Sequence, residues 1–271
     1  MSRTIALWIA VLYMAITSVG CRKRESVRET WAIAVTSSYL QAAVRDLCGD
    51  EQEVFLMAAP GMCPGHFDMS PEQLNGLLEC KVFLRFDFQS GMDGVLQRLK
   101  MPVLSVSGRP GLCKPETYLS VCEELGPFLE EAGLLEAAAG RQNLEQLRVR
   151  LASLSEELKE AIGRANLTGA KAISSRHQAD FARWLGLEVT GVFQSADVMT
   201  PAALEGCLRA GREHEVRFVI ANLQEGTQLP ENIARNLNAR LVVFGNFPDT
   251  RTYGEAAFEQ LLRSNVENLV K

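Results

Sequence analysis

Along this chain, apolar runs of about five residues alternate with stretches whose apolar positions recur every three or four. The runs predict buried strands and the stretches predict amphipathic helices. Trp31-Ala32-Ile33-Ala34-Val35-Thr36 reads as a first strand, followed by a helix over residues 39–47 that Gly49 and Asp50 end. Glu53-Val54-Phe55-Leu56-Met57-Ala58 is a second strand. Ser70-Pro71-Glu72-Gln73 is a helix start, with Ser as the cap and Pro in the first turn. Lys81-Val82-Phe83-Leu84-Arg85-Phe86 is a third strand, residues 94–99 are helical, and Pro102-Val103-Leu104-Ser105-Val106 is a fourth strand.

The middle of the chain changes rhythm. A helix is predicted over residues 115–132, then a short helical stretch to Ala139, then one long helix over 142–165. Leu144, Leu147, Leu151, Leu154, Leu158 and Ile162 fall three and four apart, which places them in one stripe. Glu157, Lys159 and Glu160 occupy the opposite face.

Beyond it the α/β rhythm returns. Strands are predicted at 170–174, 188–193, 216–221 and 240–244, and helices at 177–185, 201–210, 230–237 and 254–270. Strands alternating with helices form parallel sheets. The predicted fold class is therefore α/β: two doubly wound parallel-sheet lobes joined by one long bridging helix. The predicted division is an N-terminal lobe over 29–140, the bridging helix over 141–166 and a C-terminal lobe over 167–271. A helix of that length between the lobes is expected to limit their motion, so loss of a ligand should change the shape little.

The first residues predict an address rather than a fold. Arg3 precedes an apolar run over 4–19 that is short for a membrane span. The segment ends in Ser18-Val19-Gly20-Cys21, which resembles the lipobox of a bacterial lipoprotein. Residues 1–20 are expected to be a signal peptide and Cys21 a lipidation site, although Arg22-Lys23-Arg24 follows at once. The expected location is the periplasm or the outer face of the cytoplasmic membrane. Composition adds one exclusion. A net charge of −5 gives no reason to expect nucleic-acid binding. A monomer is expected.

The chemistry concentrates in two strand-end segments, which hold two of the three histidines. Cys63-Pro64-Gly65-His66-Phe67-Asp68 follows the second strand, and Ser174-Ser175-Arg176-His177-Gln178-Ala179-Asp180-Phe181 follows the fifth. Ligands of open α/β sheets bind at such strand ends. Cys63 and His66 are three apart in a Gly/Pro loop, Cys113 closes the loop after the fourth strand, and His177 belongs to the other lobe. Imidazole and thiolate together suit Zn(II) and other soft or borderline transition metals. Two arrangements stay open. Cys63, His66, Cys113 and His177 form a tetrahedral site, with Asp68 and Asp180 as additional ligands. Alternatively Cys63 and Cys113 pair as a disulfide, leaving the histidines to water or carboxylates. His214 sits in a charged loop and reads as solvated. The sequence has no phosphate-binding glycine loop, no Gly-x-Ser-x-Gly, no His-Glu-x-x-His and no Cys-x-x-Cys, so no catalytic constellation appears and an enzyme is not expected.

This order of elements resembles the metal-specific solute-binding proteins of bacterial ABC importers for zinc and manganese, the ZnuA/TroA-like group. The resemblance spans nearly all of the chain after the leader. It rests on the Pro and aromatic segment after the second strand and the Pro-containing loop after the fourth. It also rests on the long bridging helix, the ligand loop and aromatic helix that open the second lobe, and Ala239-Arg240-Leu241-Val242-Val243 before the last helix. It implies a divalent metal, zinc or manganese, as cargo and an ABC transporter permease in the membrane as partner. It also implies four ligand positions, usually three histidines and a carboxylate. The chain departs from these at every loop. Family spacing falls on Gly65 beside His66, on a second loop with Cys113 and no His, on Ser175 two before His177, and on Gly245-Asn246-Phe247 with no acid before Asp249. A neighbouring acid position reads Asn222. The departures motivate an alternative: the same scaffold with a lost metal site, binding an organic ligand or acting as an envelope interaction protein.

Overall fold

A computed structural model describes residues 32–49, 52–58, 70–253 and 256–271. The predicted signal peptide, Cys21, Cys63, His66 and Asp68 lie outside the described residues.

Two four-stranded sheets, both wholly parallel, carry the fold. The first contains β1 (Ile33–Val35), β2 (Val54–Leu56), β3 (Val82–Phe86) and β4 (Val103–Val106), in the order β2-β1-β3-β4. The second contains β5 (Lys171–Ser175), β6 (Glu188–Phe193), β7 (Phe218–Asn222) and β8 (Arg240–Phe244), in the order β6-β5-β7-β8. The two orders are the same, so each lobe repeats the other's topology. The helices between strands are α1 (Ser38–Cys48), α2 (Pro71–Leu78) and α3 (Asp93–Leu99) in the first lobe. After β4 come α4 (Pro115–Glu131) and the bridging helix α5 (Ala137–Arg164). The second lobe adds α6 (Ala179–Trp184), α7 (Pro201–Glu213), α8 (Gln228–Leu237), α9 (Thr250–Tyr253) and α10 (Ala257–Val270).

The strand pattern explains the layers. Ile33 and Val35 face one core while Ala34 faces another, and Leu84 and Phe86 alternate with Phe83 in the same way. In the second sheet Ala172 and Ile220 face inward while Ile173 and Val219 face outward. Successive side chains of a strand point to opposite faces, so continuous apolar runs bury both. The inward faces of both sheets share one continuous core with α1, α4, α5 and α10. Each outward face has its own smaller core. Between β5 and β6 the register slips after Ala172, leaving Thr190 as an extra residue. At Gly191 a Cβ would lie 2.6 Å from Ile173 Cδ1, so a larger residue there would have to displace the end of that side chain.

The bridging helix is longer than predicted. Gly140 reads as a break, yet α5 runs through it from Ala137. Glu136 caps the start, its carboxylate accepting the N–H groups of Ala138 and Ala139 at 3.3 Å. Leu147, Leu151, Leu154, Leu158 and Ile162 of the predicted stripe are buried, and Leu144 is half-buried. Two predicted helix starts appear as read. Ser70 forms a capping box with Gln73, and Thr200 accepts from Ala203 N–H before Pro201. Two short 3-10 turns escaped prediction: Asp87–Met92 after β3 and Leu223–Glu225 after β7. Both follow strand carboxyl ends.

At the back of the molecule the lobes are joined by side chains. Tyr118 of α4 stacks on Phe258 of α10 with ring centres 3.7 Å apart, and Tyr39 of α1 meets both rings edge-on. Beside them, Asp46 of α1 accepts hydrogen bonds from Tyr118 Oη at 2.5 Å and from Arg150 of α5. Arg150 also pairs with Glu259 of α10 at 3.1 Å. A further tie runs from Thr250 Oγ1 and its carbonyl to Gln41 and Arg45 of α1, at 2.5 and 2.6 Å.

Candidate ligand cleft

The carboxyl ends of both sheets open onto a cleft of about 440 Å³. From the first lobe come Phe88 and residues 108–112, and from the second come residues after β5, β7 and β8. The first-lobe wall is held from behind. Gln89 Oε1 accepts from Thr36 Oγ1 at 2.6 Å and from Phe86 N–H at 2.9 Å, which fixes the turn and stacks Phe88 on Phe86. Tyr39 Oη donates to the Leu112 carbonyl at 2.9 Å, anchoring the second wall loop. In that loop Gly111 has φ +73°, and a Cβ there would lie 3.1 Å from Asp180 Cβ of the other lobe. Only glycine suits both the backbone and the close approach.

The second-lobe floor is a hydrogen-bonded network at the strand ends. Ser175 Oγ donates to Glu225 Oε2 at 2.7 Å and accepts His177 N–H at 3.2 Å. His177 Nε2 stands 3.6 Å from Glu225 Oε1, with the imidazole 61% exposed. Beside this pair, Gln178 is fully buried. Its amide donates to Asn222 Oδ1 at 3.2 Å and Asn246 Oδ1 at 2.9 Å, and its own Oε1 is buried without a partner. Gln224 Oε1 accepts Asn246 N–H at 3.1 Å. Arg109 and Arg176 line the cleft from opposite lobes. Arg109 is braced by Glu124 at 3.2 Å.

The predicted site residues separate into three groups. His177 and Asp180 line the cleft, Asp180 also pairing with Arg183 at 3.1 Å. Cys113 lies behind the cleft wall and is 1% exposed. Its thiol donates to Gly245 O at 3.1 Å and Asn246 Oδ1 at 3.4 Å, and Asn265 donates to its sulfur at 3.8 Å. Burial pushes this thiol far above its ordinary pKa, so it stays protonated. The expected disulfide with Cys63 is corrected: Cys113 is a free thiol, its hydrogen committed to backbone and amide oxygens. Cys63, His66 and Asp68 lie outside the described residues. Asp249, the first acid after β8, accepts from Thr252 Oγ1 at 2.7 Å and from two N–H groups at the start of α9. The Thr252 hydrogen bond holds its carboxyl below the ordinary range, in a helix-capping role.

Glu225 was missed by sequence reasoning. It sits in Asn222-Leu223-Gln224-Glu225, directly after a predicted strand, and the strand-end rule that picked out His177 also applies to it. Among the described residues no three His, Cys, Asp or Glu side chains converge tightly enough to hold a metal ion by themselves.

The family model for the zinc-uptake complex component A, periplasmic (ZnuA), matches residues 33–271. The chain belongs to the ZnuA family. Members of this family are transport components and not enzymes. Solved structures of the same fold include ZnuA itself, with TM-score 0.72 and 17% identity over 89% of this chain and 98% of that one. A Mn-bound periplasmic metal-binding protein from Candidatus Liberibacter asiaticus (an S38A mutant) gives TM-score 0.74 and 12% identity over the same shares. The solute-binding protein FpvC from Pseudomonas aeruginosa, in complex with Mn2+, gives 0.70 and 16%, again over 89% and 98%. No curated protein sequence matches. At these identities the structural likeness carries the fold, and the site must be argued from its own residues.

Proposed function

We propose that this chain is the extracytoplasmic solute-binding component of an ABC importer. It captures a divalent transition metal, zinc or manganese, in the cleft between its lobes and delivers it to a membrane permease. The observation that carries this reading is the His177–Glu225 pair. Two ligand atoms on one tetrahedral ion, each ~2.0–2.1 Å from it, stand roughly 3.3 Å apart. His177 Nε2 and Glu225 Oε1 stand 3.6 Å apart at the mouth of the cleft, so an ion can bind both with little adjustment. Ser175 is the outer support that orients the carboxylate. In this reading His66 and Cys63 supply the ligands of the first lobe, and Asp68 and Asp180 are the nearest additional carboxylates. Cys113 is left out of the shell because its protonated thiol is spent on Gly245. The secreted form is a monomer lipid-anchored through Cys21.

The test is metal content by inductively coupled plasma mass spectrometry on protein purified from the periplasm. Wild type should carry about one equivalent of zinc or manganese. Glu225→Gln and His177→Ala should each lose most of it. Wild type that stays metal-free after incubation with both ions, while correctly folded by circular dichroism, overturns the reading.

A further inference from the structure

The cleft has more room, and more hydrogen-bond donors on its floor, than an ion alone would use. A water molecule takes roughly 30 Å³ of liquid volume, whereas the cleft holds about 440 Å³. That volume is in the range of pockets for small organic molecules, ~300–1,000 Å³. Phe88, Pro110, Leu112 and Phe247 form much of its wall. These side chains give nothing to an ion and suit the body of an organic ligand.

The polar groups tell the same story. Asn222 and Asn246 each accept the buried Gln178 amide through Oδ1. An amide whose oxygen is committed inward has its NH₂ group left to bond elsewhere, and both residues line the cleft. Turning Gln178 alone would set its oxygen against two other oxygens, so the three amides keep one common orientation. In this arrangement the floor offers N–H donors beside the His177–Glu225 pair. Arg109 and Arg176 add two permanent positive charges from the two lobes. Arg176 has no ion-pair partner among the described residues, and the cleft thus carries both signs of charge, Asp180 and Glu225 beside the ion and the two guanidiniums beyond it. Carboxylate oxygens are the natural partners of such guanidinium and amide donors.

We infer that the cleft binds the carboxylate oxygens of a small organic ligand through Arg109, Arg176, Asn222 and Asn246. Resting on the proposed metal reading, the cargo is then a metal chelate of a small hydroxy-polycarboxylate. His177 and Glu225 hold the ion's open positions and the arginines hold the chelator's charge. The chemistry closes: the chelator neutralises the dication and the guanidiniums neutralise the chelator.

Native mass spectrometry of the secreted protein tests this with three probes: zinc chloride, citrate, and an equimolar zinc–citrate mixture, with malate as a second carboxylate. The expected result is a 1:1:1 complex of protein, zinc and carboxylate, with excess citrate raising zinc retention. A protein that binds only bare zinc shows the reverse, since citrate then competes for the ion. Zinc retained with no carboxylate overturns this inference and leaves the metal reading standing. Carboxylate retained without zinc supports the donor floor and overturns the metal reading. Neither probe retained, singly or mixed, overturns both. Arg176→Met should lower retention of the carboxylate at least tenfold. Asn246→Asp, which restores an acid to the floor, should shift preference from zinc–citrate toward bare zinc. Unchanged preference in both folded variants counts against the inference.

Discussion

The back of the molecule and the mouth of its cleft are built to different rules. At the back, α1, α4, α5 and α10 share one core, an aromatic cluster and an ion network that together cross from one lobe to the other. At the mouth, the lobes face each other through loops and short turns whose polar groups bond mostly within their own lobe. The back sets the geometry and tolerates little change. The mouth sets the specificity and is free to vary, which is how one fold comes to serve different sites.

The strongest way to break this contrast is Phe258→Ala. Removing a buried ring that touches both Tyr39 and Tyr118 should cost about 3–5 kcal/mol. Urea unfolding followed by fluorescence and circular dichroism should still show one transition. Two separated transitions would mean that the lobes fold independently and the back does not join them. Next is Arg150→Met, which leaves Asp46 and Glu259 without their shared cation. A fully buried pair costs about 3–5 kcal/mol to break, and the partly exposed guanidinium brings the expected loss to about 1–3 kcal/mol.

A change of slope should follow from Asp46→Asn. Burial pushes the Asp46 carboxyl from 3.8 up to about 7, outweighing the Tyr118 hydrogen bond and Arg150, which both lower it. Between those values the folded chain holds a proton that the unfolded chain has released. This group's stabilisation is therefore complete below the unfolded pKa and lost as pH rises toward about 7. Urea midpoints of the wild type should decline over that window, and the variant should decline less; equal slopes would remove Asp46 as the source. At the mouth, Ser175→Ala frees Glu225 and should weaken zinc binding roughly tenfold with stability little altered. A variant that loses stability but not affinity would move Ser175 from the mouth's rules to the back's. The smallest effect concerns shape: small-angle scattering should give the same radius of gyration with zinc and after EDTA, because the back limits lobe motion.

The scaffold was legible because its signals are local. Strand runs, the Leu147 to Ile162 stripe, and the Ser70 and Thr200 caps each lie within one element. Where local signals compete, spacing misleads: two helical stretches are expected around Gly140, but Glu136 caps one helix that runs through it. The candidate site was half legible. Strand-end position alone located His177 and Asp180 in the cleft. The partners of Gln178 stand 44 and 68 residues away, and those of Cys113 132 and 133, so nothing in sequence spacing could reveal the floor. Cys113 was read by its chemical type, whereas its burial decides its role.

Phe258 lies near the end of the chain yet fills the aromatic cluster of the first lobe, between Tyr39 and Tyr118. A ribosome making this protein therefore releases the first lobe's strands and helices long before the residue that completes their core. Until α10 is synthesised the nascent chain is a parallel sheet with an open side, and such long-range closure is slow. Closure of the first lobe's core is thereby tied to the second lobe's α10, so the two lobes close together rather than one after the other.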